Sequence, residues 1–286
     1  MAVLFFVPVG ALVGTLSGFF GIGGGIVLTP LLLLLGFEPV VAVATSLMFT
    51  LGTSMSGAIT HTRMNNVDWK TAALVGIAGA VLAQISRGIV FYISGRHNWF
   101  LNICLIFMLF YFAYSLYKGN NGRGTKAVFK SKYLAAPFIG CIAGFLAALL
   151  GIGGGFIIAP LLIKWLGFDS KKAIGTSLAC IIIISCGALI GYGFTLKLNY
   201  ALGLCLIIGA FIGSPFGARM TSLYAAEEIG KKLGILYFFS MTSIALDLLA
   251  TFTAPILGWM GLGVLITFMI YMFFDFYQHR TFTKKS

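Results

Sequence analysis

The chain has 286 residues, of which 59% are apolar and only 9% charged, and a formal net charge of +12. Soluble domains carry about 25% charged residues, so this composition excludes a globule coated by water. The lysines and arginines fall in short stretches between apolar runs, where membrane topology and lipid headgroups account for them, and no nucleic acid is expected as a partner.

In chain order, the first run, Met1–Phe37, contains no Asp, Glu, Lys, Arg or His and encloses "GIGGGIVLTP" (Gly21–Pro30). Its start, "MAVLFFVPVGALVG", lacks the basic region of a cleaved signal peptide, so none is expected. Pro39–Thr60, Thr71–Ser86 and Asn98–Tyr117 follow as apolar runs, and then the basic link "YKGNNGRGTKAVFKSK" (Tyr117–Lys132). Beyond it, Tyr133–Ile163 is again free of charge and encloses "GIGGGFIIAP" (Gly151–Pro160). Ala173–Leu196, Leu198–Gly217, Leu233–Leu246 and Leu248–Phe274 complete the pattern. About 20 apolar residues cross a hydrocarbon core of about 30 Å as a helix. Alternating segments of roughly ten residues, which would mark a membrane barrel, are missing from the sequence. The expectation is an all-α, polytopic transmembrane protein of the cell (inner) membrane. The five cysteines lie inside apolar runs without CxxC spacing and read as small apolar side chains.

The two glycine segments belong to a longer duplication. At an offset of 130, Gly14, Gly21, Gly23, Gly24, Gly25 and Pro30 match Gly144, Gly151, Gly153, Gly154, Gly155 and Pro160. With one inserted residue, "LGFEPVVAVATSL" (Leu35–Leu47) matches "LGFDSKKAIGTSL" (Leu166–Leu178), pairing Thr45-Ser46 with Thr176-Ser177. "GAVLAQ" (Gly79–Gln84) matches "GAFIGS" (Gly209–Ser214), pairing Gln84 with Ser214. The expected organisation is a first transmembrane repeat over 1–118, a basic cytoplasmic linker over 119–132, and a second repeat over 133–286 that adds one C-terminal helix.

Charge placement relates the halves. The link carries Lys118, Arg123, Lys126, Lys130 and Lys132 without an acid, which predicts a cytoplasmic position. The loop bearing Lys164, Lys171 and Lys172 reads the same way, so both ends of Tyr133–Ile163 fall on one side. As one helix that run would be about 46 Å long, so it is expected to enter and return, broken at "GIGGG". The matching loop of the first half carries only Glu38, and counting spans back from the link puts it outside. Corresponding loops on opposite faces predict inverted repeats, each opening with a glycine-broken re-entrant hairpin.

"GALVGTLSG" (Gly10–Gly18) and "GCIAG" (Gly140–Gly144) read as close helix-packing faces. Three consecutive glycines exceed what packing asks for. Unwound backbone at membrane depth is tolerated only where protein or a watery cavity surrounds it. The helix that follows directs its free N–H groups and positive dipole end back at the break. Gly23, Gly24, Gly25, Gly153, Gly154 and Gly155 are therefore predicted to hold an anion through backbone amides. Thr45, Ser46, Thr176 and Ser177 are predicted to add hydroxyls, the alternative being that they bond the preceding turn. Gln84 and Ser214 are further candidates of the same kind. Asp247, the only acid well inside an apolar run, is the candidate for proton coupling, its alternative being an interfacial group. His61, His97 and His279 show no metal spacing, and neither metal nor cofactor is expected. A nucleophile–base pair at depth is missing, so an enzyme is not expected.

The duplicated glycine segment with its proline, followed in each half by "TSL" (Thr45–Leu47 and Thr176–Leu178), resembles the TauE/SafE family of sulfite and organosulfur-anion exporters. The resemblance runs over nearly the whole chain. It implies transport of small anions such as sulfite, sulfonates or sulfoacetate across the cytoplasmic membrane. The expected function is a secondary anion transporter working by alternating access, with a passive anion channel as the alternative. The expected partners are the small anion and the lipid bilayer, and homo-oligomerisation is left open. Ala148 stands where the first copy has Gly18, and Ser170-Lys171 where it has Pro39-Val40, so strict symmetry of the half-sites is not expected.

Overall fold

The computed structural model describes residues 6–35, 37, 39–93, 103, 106, 107, 109–114, 116, 132–150, 153–193, 200–254 and 256–283. The first half contains α1 (Phe6–Phe20), α2 (Gly25–Leu34), α3 (Pro39–Arg63), α4 (Trp69–Ile93) and α5 (109–114). The second contains α6 (Lys132–Leu150), α7 (Gly155–Leu166), α8 (Ser170–Gly193), α9 (Tyr200–Met220), α10 (Ala226–Phe252) and α11 (Ile256–Thr283). No strand occurs among the described residues, and the all-α expectation stands. The expected linker lies outside the described residues, apart from Lys132.

Six described helices are long and apolar enough to cross a membrane, over Val41–Arg63, Trp69–Ser86, Ser170–Ile190, Ala201–Leu223, Ala226–Thr251 and Ile256–His279. Their outer faces are greasy. Ile77, Val81 and Ile85 form an exposed row on α4, and Trp259, Ile270, Phe274 and Tyr277 are exposed on α11. Such surface is stable against lipid and costly against water. In contrast, α2 and α7 have 10 and 12 residues, which makes them about 15 and 18 Å long. Each reaches only about half way through the core.

Local chemistry sets the helix ends. Asn65, with φ of 58°, ends α3, and the Asn66 N–H bonds the His61 carbonyl at 2.9 Å. Asp68 then caps α4 by accepting from the Thr71 N–H at 3.1 Å. Asp169 caps α8 in the same way through the Lys172 N–H at 2.9 Å. These carboxylates occupy the positive ends of their helices, where they satisfy orphan donors. Lys132 Nζ, at the start of α6, lies 3.9 Å from the Asp68 carboxylate.

Close contacts give the helix directions. Gly10, Gly14 and Gly18 of α1 meet Leu206, Ala210 and Ser214 of α9 in step, so those helices run parallel. Met48 meets Gly203 and Ile207 meets Gly52, so α3 runs the same way. Gly140 and Gly144 of α6 meet Val75 and Gly79 of α4, and Ile183 of α8 meets Gly76. Thus α1, α3 and α9 run one way, and α4, α6 and α8 the other. Gly175 of α8 packs on His61 and Asn66, at the opposite end of α3 from the start of that helix. The small-residue seams expected at Gly10–Gly18 and Gly140–Gly144 are present, each joining the opening helix of one half to the third long helix of the other.

The segment before α10, together with α10 and α11, braces the tip of α1. Phe19 packs edge-on against Tyr224 and Phe276, with centroids 5.2 and 4.9 Å away. Beneath them Lys232 and Asp275 pair at 2.8 Å, and the Tyr224 hydroxyl donates to the same carboxylate at 2.5 Å. Burial and that donated proton push the Tyr224 phenol above its ordinary pKa.

Candidate functional site

Both glycine segments are unwound. Gly21, Gly23 and Gly24 have φ of 70°, 77° and 77°, and Gly153 and Gly154 have 78° and 73°. A residue with a Cβ pays about 1–2 kcal/mol to sit there, so the duplicated glycines answer a backbone requirement. Where the helices restart, the Gly24 carbonyl accepts from the Val27 and Leu28 N–H groups, and the Gly154 carbonyl from those of Ile157 and Ile158. The preceding N–H groups, on Gly25 and Ile26 and on Gly155 and Phe156, have no intrahelical acceptor. N–H groups at a helix start project toward the segment that precedes it.

Each break lies close to the helix that precedes it. A Cβ on Gly24 would lie 3.2 Å from Val13 Cγ1, and one on Gly154 would lie 2.9 Å from the Ala143 carbonyl oxygen. The two breaks also meet. A Cβ on Gly155 would lie 2.8 Å from the Gly21 carbonyl oxygen and 2.8 Å from the Ile22 carbonyl carbon. Gly21–Gly25 and Gly153–Gly155 are all buried, enclosed by protein and away from lipid. Two side chains from the middles of α3 and α8 stand over the junction. Thr50 faces both Gly23 and Gly153, while Ile181 faces Gly23 and Gly155.

The remaining predicted residues divide between this junction and the scaffold around it. The Ser177 hydroxyl donates to the Gly21 carbonyl at 2.7 Å, so Ser177 is at the first break. Ser46 accepts the Thr29 hydroxyl at 2.8 Å, tying α3 to α2, and Thr45 is buried one turn before Phe49. Thr176 accepts the Asp68 N–H at 3.0 Å and so holds the α3–α4 turn. Ser214 donates to the Thr53 carbonyl at 2.9 Å, and the Gln84 amide donates to the Gly187 carbonyl. These two residues, matched in sequence, tie α9 to α3 and α4 to α8. Asp247 is half-buried on α10. It lies about 15 Å along that helix from Tyr237, whose hydroxyl donates to the Phe156 carbonyl at 2.7 Å. The described contacts do not join Asp247 to the breaks.

Three contributors were missed by the sequence reading. Thr53 donates to the Gly23 carbonyl at 2.9 Å and so secures the first break. His61, which the sequence offers only as a histidine without metal spacing, is fully buried with Nε2 3.1 Å from the Gly18 carbonyl oxygen. Thr50 is the third, and the duplication hides it, because the one-residue insertion aligns it with Ile181. Among the described residues no three His, Cys, Asp or Glu side chains gather as a metal site requires.

The family model for the sulfite exporter TauE/SafE matches residues 6–248. The probable membrane transporter protein MJ0441 of Methanocaldococcus jannaschii is 29% identical over 240 residues, covering 77% of this chain and 87% of its own length. The Bacillus subtilis probable membrane transporter protein YunE is 27% identical over 255 residues, covering 80% of this chain and 92% of its own. YjnA of the same organism, also a probable membrane transporter protein, is 25% identical over 231 residues, covering 77% and 91%. No solved structure matches.

Proposed function

The chain belongs to the sulfite exporter TauE/SafE family and is a multi-pass membrane transporter, and from that premise we propose that it carries a small oxyanion held where its glycine breaks meet. The passenger class is sulfite, a sulfonate or a related organic anion. The observation that carries this reading is the contact between the restart of α7 and the first break, at Gly155 against Gly21 and Ile22. It brings the restart of α7 against the first break, with neutral side chains around the contact, and it supports a reading in which the N–H groups of the two helix starts serve one anion. A helix N-terminus stabilises an anion by up to about 2 kcal/mol in partly buried geometry. Two such ends supply at most about 4 kcal/mol, a ceiling near millimolar binding. That strength suits a carrier, which must let go of what it holds.

We read the two antiparallel helix sets as inverted repeats. Matching α1 with α6, α3 with α8 and α4 with α9 exchanges one set for the other, and each half then opens with a re-entrant hairpin. Alternating access follows if one set rocks against the other and uncovers the junction from either face. Burial of both breaks favours this carrier reading over an open anion channel, which would leave them wet. Asp247 is the proposed coupling group, an acid within the α10 span that pairs with no cation among the described residues.

The test is flux of sulfite and methanesulfonate into proteoliposomes by Gly24→Leu and Gly154→Leu. Both substitutions force a side chain into left-handed backbone at the junction, and flux is expected to fall to background. Undiminished flux by folded variants would refute the site. Saturable counterflow distinguishes the carrier from a channel.

A further inference from the structure

A threonine inside a membrane helix ordinarily returns its hydroxyl to a carbonyl one turn earlier. Thr15, Thr60 and Thr62 do so here, bonding Ala11, Ser56 and Ala58. Thr50, on the same helix as the last two, does not. It is fully buried, and its hydroxyl has no partner among the described residues. Its methyl fills the notches left by two missing side chains, since a Cβ on Gly23 would lie 2.7 Å from Thr50 Cγ2 and one on Gly153 would press on the same atom. The hydroxyl lies beside the second break, with Oγ1 3.3 Å from the place of a Gly153 Cβ. Ile181, the matching residue of the other half, stands 3.5 Å from the place of a Gly23 Cβ and against Gly155. The junction thus has one wall with an unused donor and one wall of hydrocarbon.

We infer that Thr50 and Ile181 determine which oxyanion the junction takes. The Thr50 hydroxyl donates to an oxygen of the passenger, and Ile181 faces the part that carries no oxygen. This inference rests on the reading of the glycine breaks as the passenger site. A sulfonate, R–SO₃⁻, matches the division, because its oxygens meet the helix amides and the hydroxyl while its alkyl group meets Ile181. Sulfite, with three oxygens and a bare sulfur face, fits in the same way. Sulfate carries oxygen on every side, and seating it would press one oxygen against hydrocarbon with no donor, a costly burial.

The experiment measures flux of methanesulfonate, sulfite and sulfate in proteoliposomes, together with unfolding temperatures. Wild-type protein is expected to move methanesulfonate at least tenfold faster than sulfate. Thr50→Val keeps the shape and removes the orphan hydroxyl, so it should unfold at an equal or higher temperature yet lose methanesulfonate flux tenfold or more. Thr50→Ser should restore flux, Ile181→Thr should narrow the preference over sulfate, and Thr60→Val should leave flux unchanged. Wild-type flux by Thr50→Val overturns the inference, as does equal wild-type transport of sulfate and methanesulfonate. A lower unfolding temperature for Thr50→Val also overturns it, because the hydroxyl would then have a structural partner. If Thr50→Val is active while Gly154→Leu is inactive, this inference fails and the junction survives as the site. If both are active, or if wild-type protein moves none of the three anions, both readings fail.

Discussion

The Ser177 hydroxyl donates to the Gly21 carbonyl oxygen over 2.7 Å, joining α8 of one half to the first break of the other. The oxygen of that hydroxyl lies 2.8 Å from the Ile174 carbonyl as well, so one side chain links its own helix to the unwound backbone. Ser177→Ala leaves the buried Gly21 carbonyl without this donor. The expected cost is about 1–3 kcal/mol, read from unfolding in a denaturing detergent titration, with a parallel loss of sulfite flux. An unfolding midpoint identical to wild type would show that the bond carries no weight.

The glycine seams predict a contrast between two substitutions of the same kind. A Cβ on Gly144 would collide with the Gly79 backbone, whereas one on Gly263 would meet nothing within 4 Å. Gly144→Ala must push α6 from α4, and overpacking of this sort costs about 1–3 kcal/mol. Gly263→Ala is expected to be neutral or stabilising by up to about 1 kcal/mol, through helix propensity alone. Thermal unfolding of the two variants side by side checks the prediction, and a destabilised Gly263→Ala would contradict it.

Lys232 and Asp275 form an ion pair whose side chains are 12% and 15% exposed. Removing one member strands the other charge in a poorly solvated place, at a cost of about 3–5 kcal/mol when fully buried. For this pair Lys232→Met is expected to cost about 2–4 kcal/mol, somewhat less because the Tyr224 hydroxyl still donates to the carboxylate. The double variant Lys232→Met with Asp275→Leu should recover most of that loss. A double-mutant cycle on unfolding free energies decides the matter, and additive losses would rule out a coupled pair.

Asp247 gives a prediction about driving force. If it is the coupling group, an imposed pH gradient should change the wild-type rate of anion flux, and Asp247→Asn should abolish the response while leaving gradient-free counterflow. Flux in wild-type proteoliposomes that ignores the gradient would remove the proposal.

Much of the architecture was legible because lipid imposes simple rules. Runs without charge had to become helices, and an uncharged run too long for one helix, with like-charged flanks, had to break where glycine makes breaking cheap. The positive φ values at Gly23 and Gly153 are what that argument required. The hydroxyls were harder to read. Duplication drew attention to Thr45-Ser46 and Thr176-Ser177, yet Ser46, Thr176 and Ser177 bond Thr29, Asp68 and Gly21. Repetition marks whatever both halves need, and scaffold ties qualify as well as ligands do. Thr50 carries no such mark, because its counterpart is Ile181. Its unusual state arises only when Gly153 arrives beside it from the other half, and no local pattern records that meeting.

The seam between α1 and α9 has a consequence for how the protein is made. Gly10 leaves the ribosome early, but its packing partner Leu206 is not yet synthesised, and at ordinary elongation rates the wait is roughly 10 to 40 s. During that interval the small-residue stripe of α1 faces lipid or an insertion chaperone instead of its mate. Closure of this seam therefore waits until most of the chain has been made, and the two halves expressed as separate polypeptides should accumulate only when both occupy the same membrane.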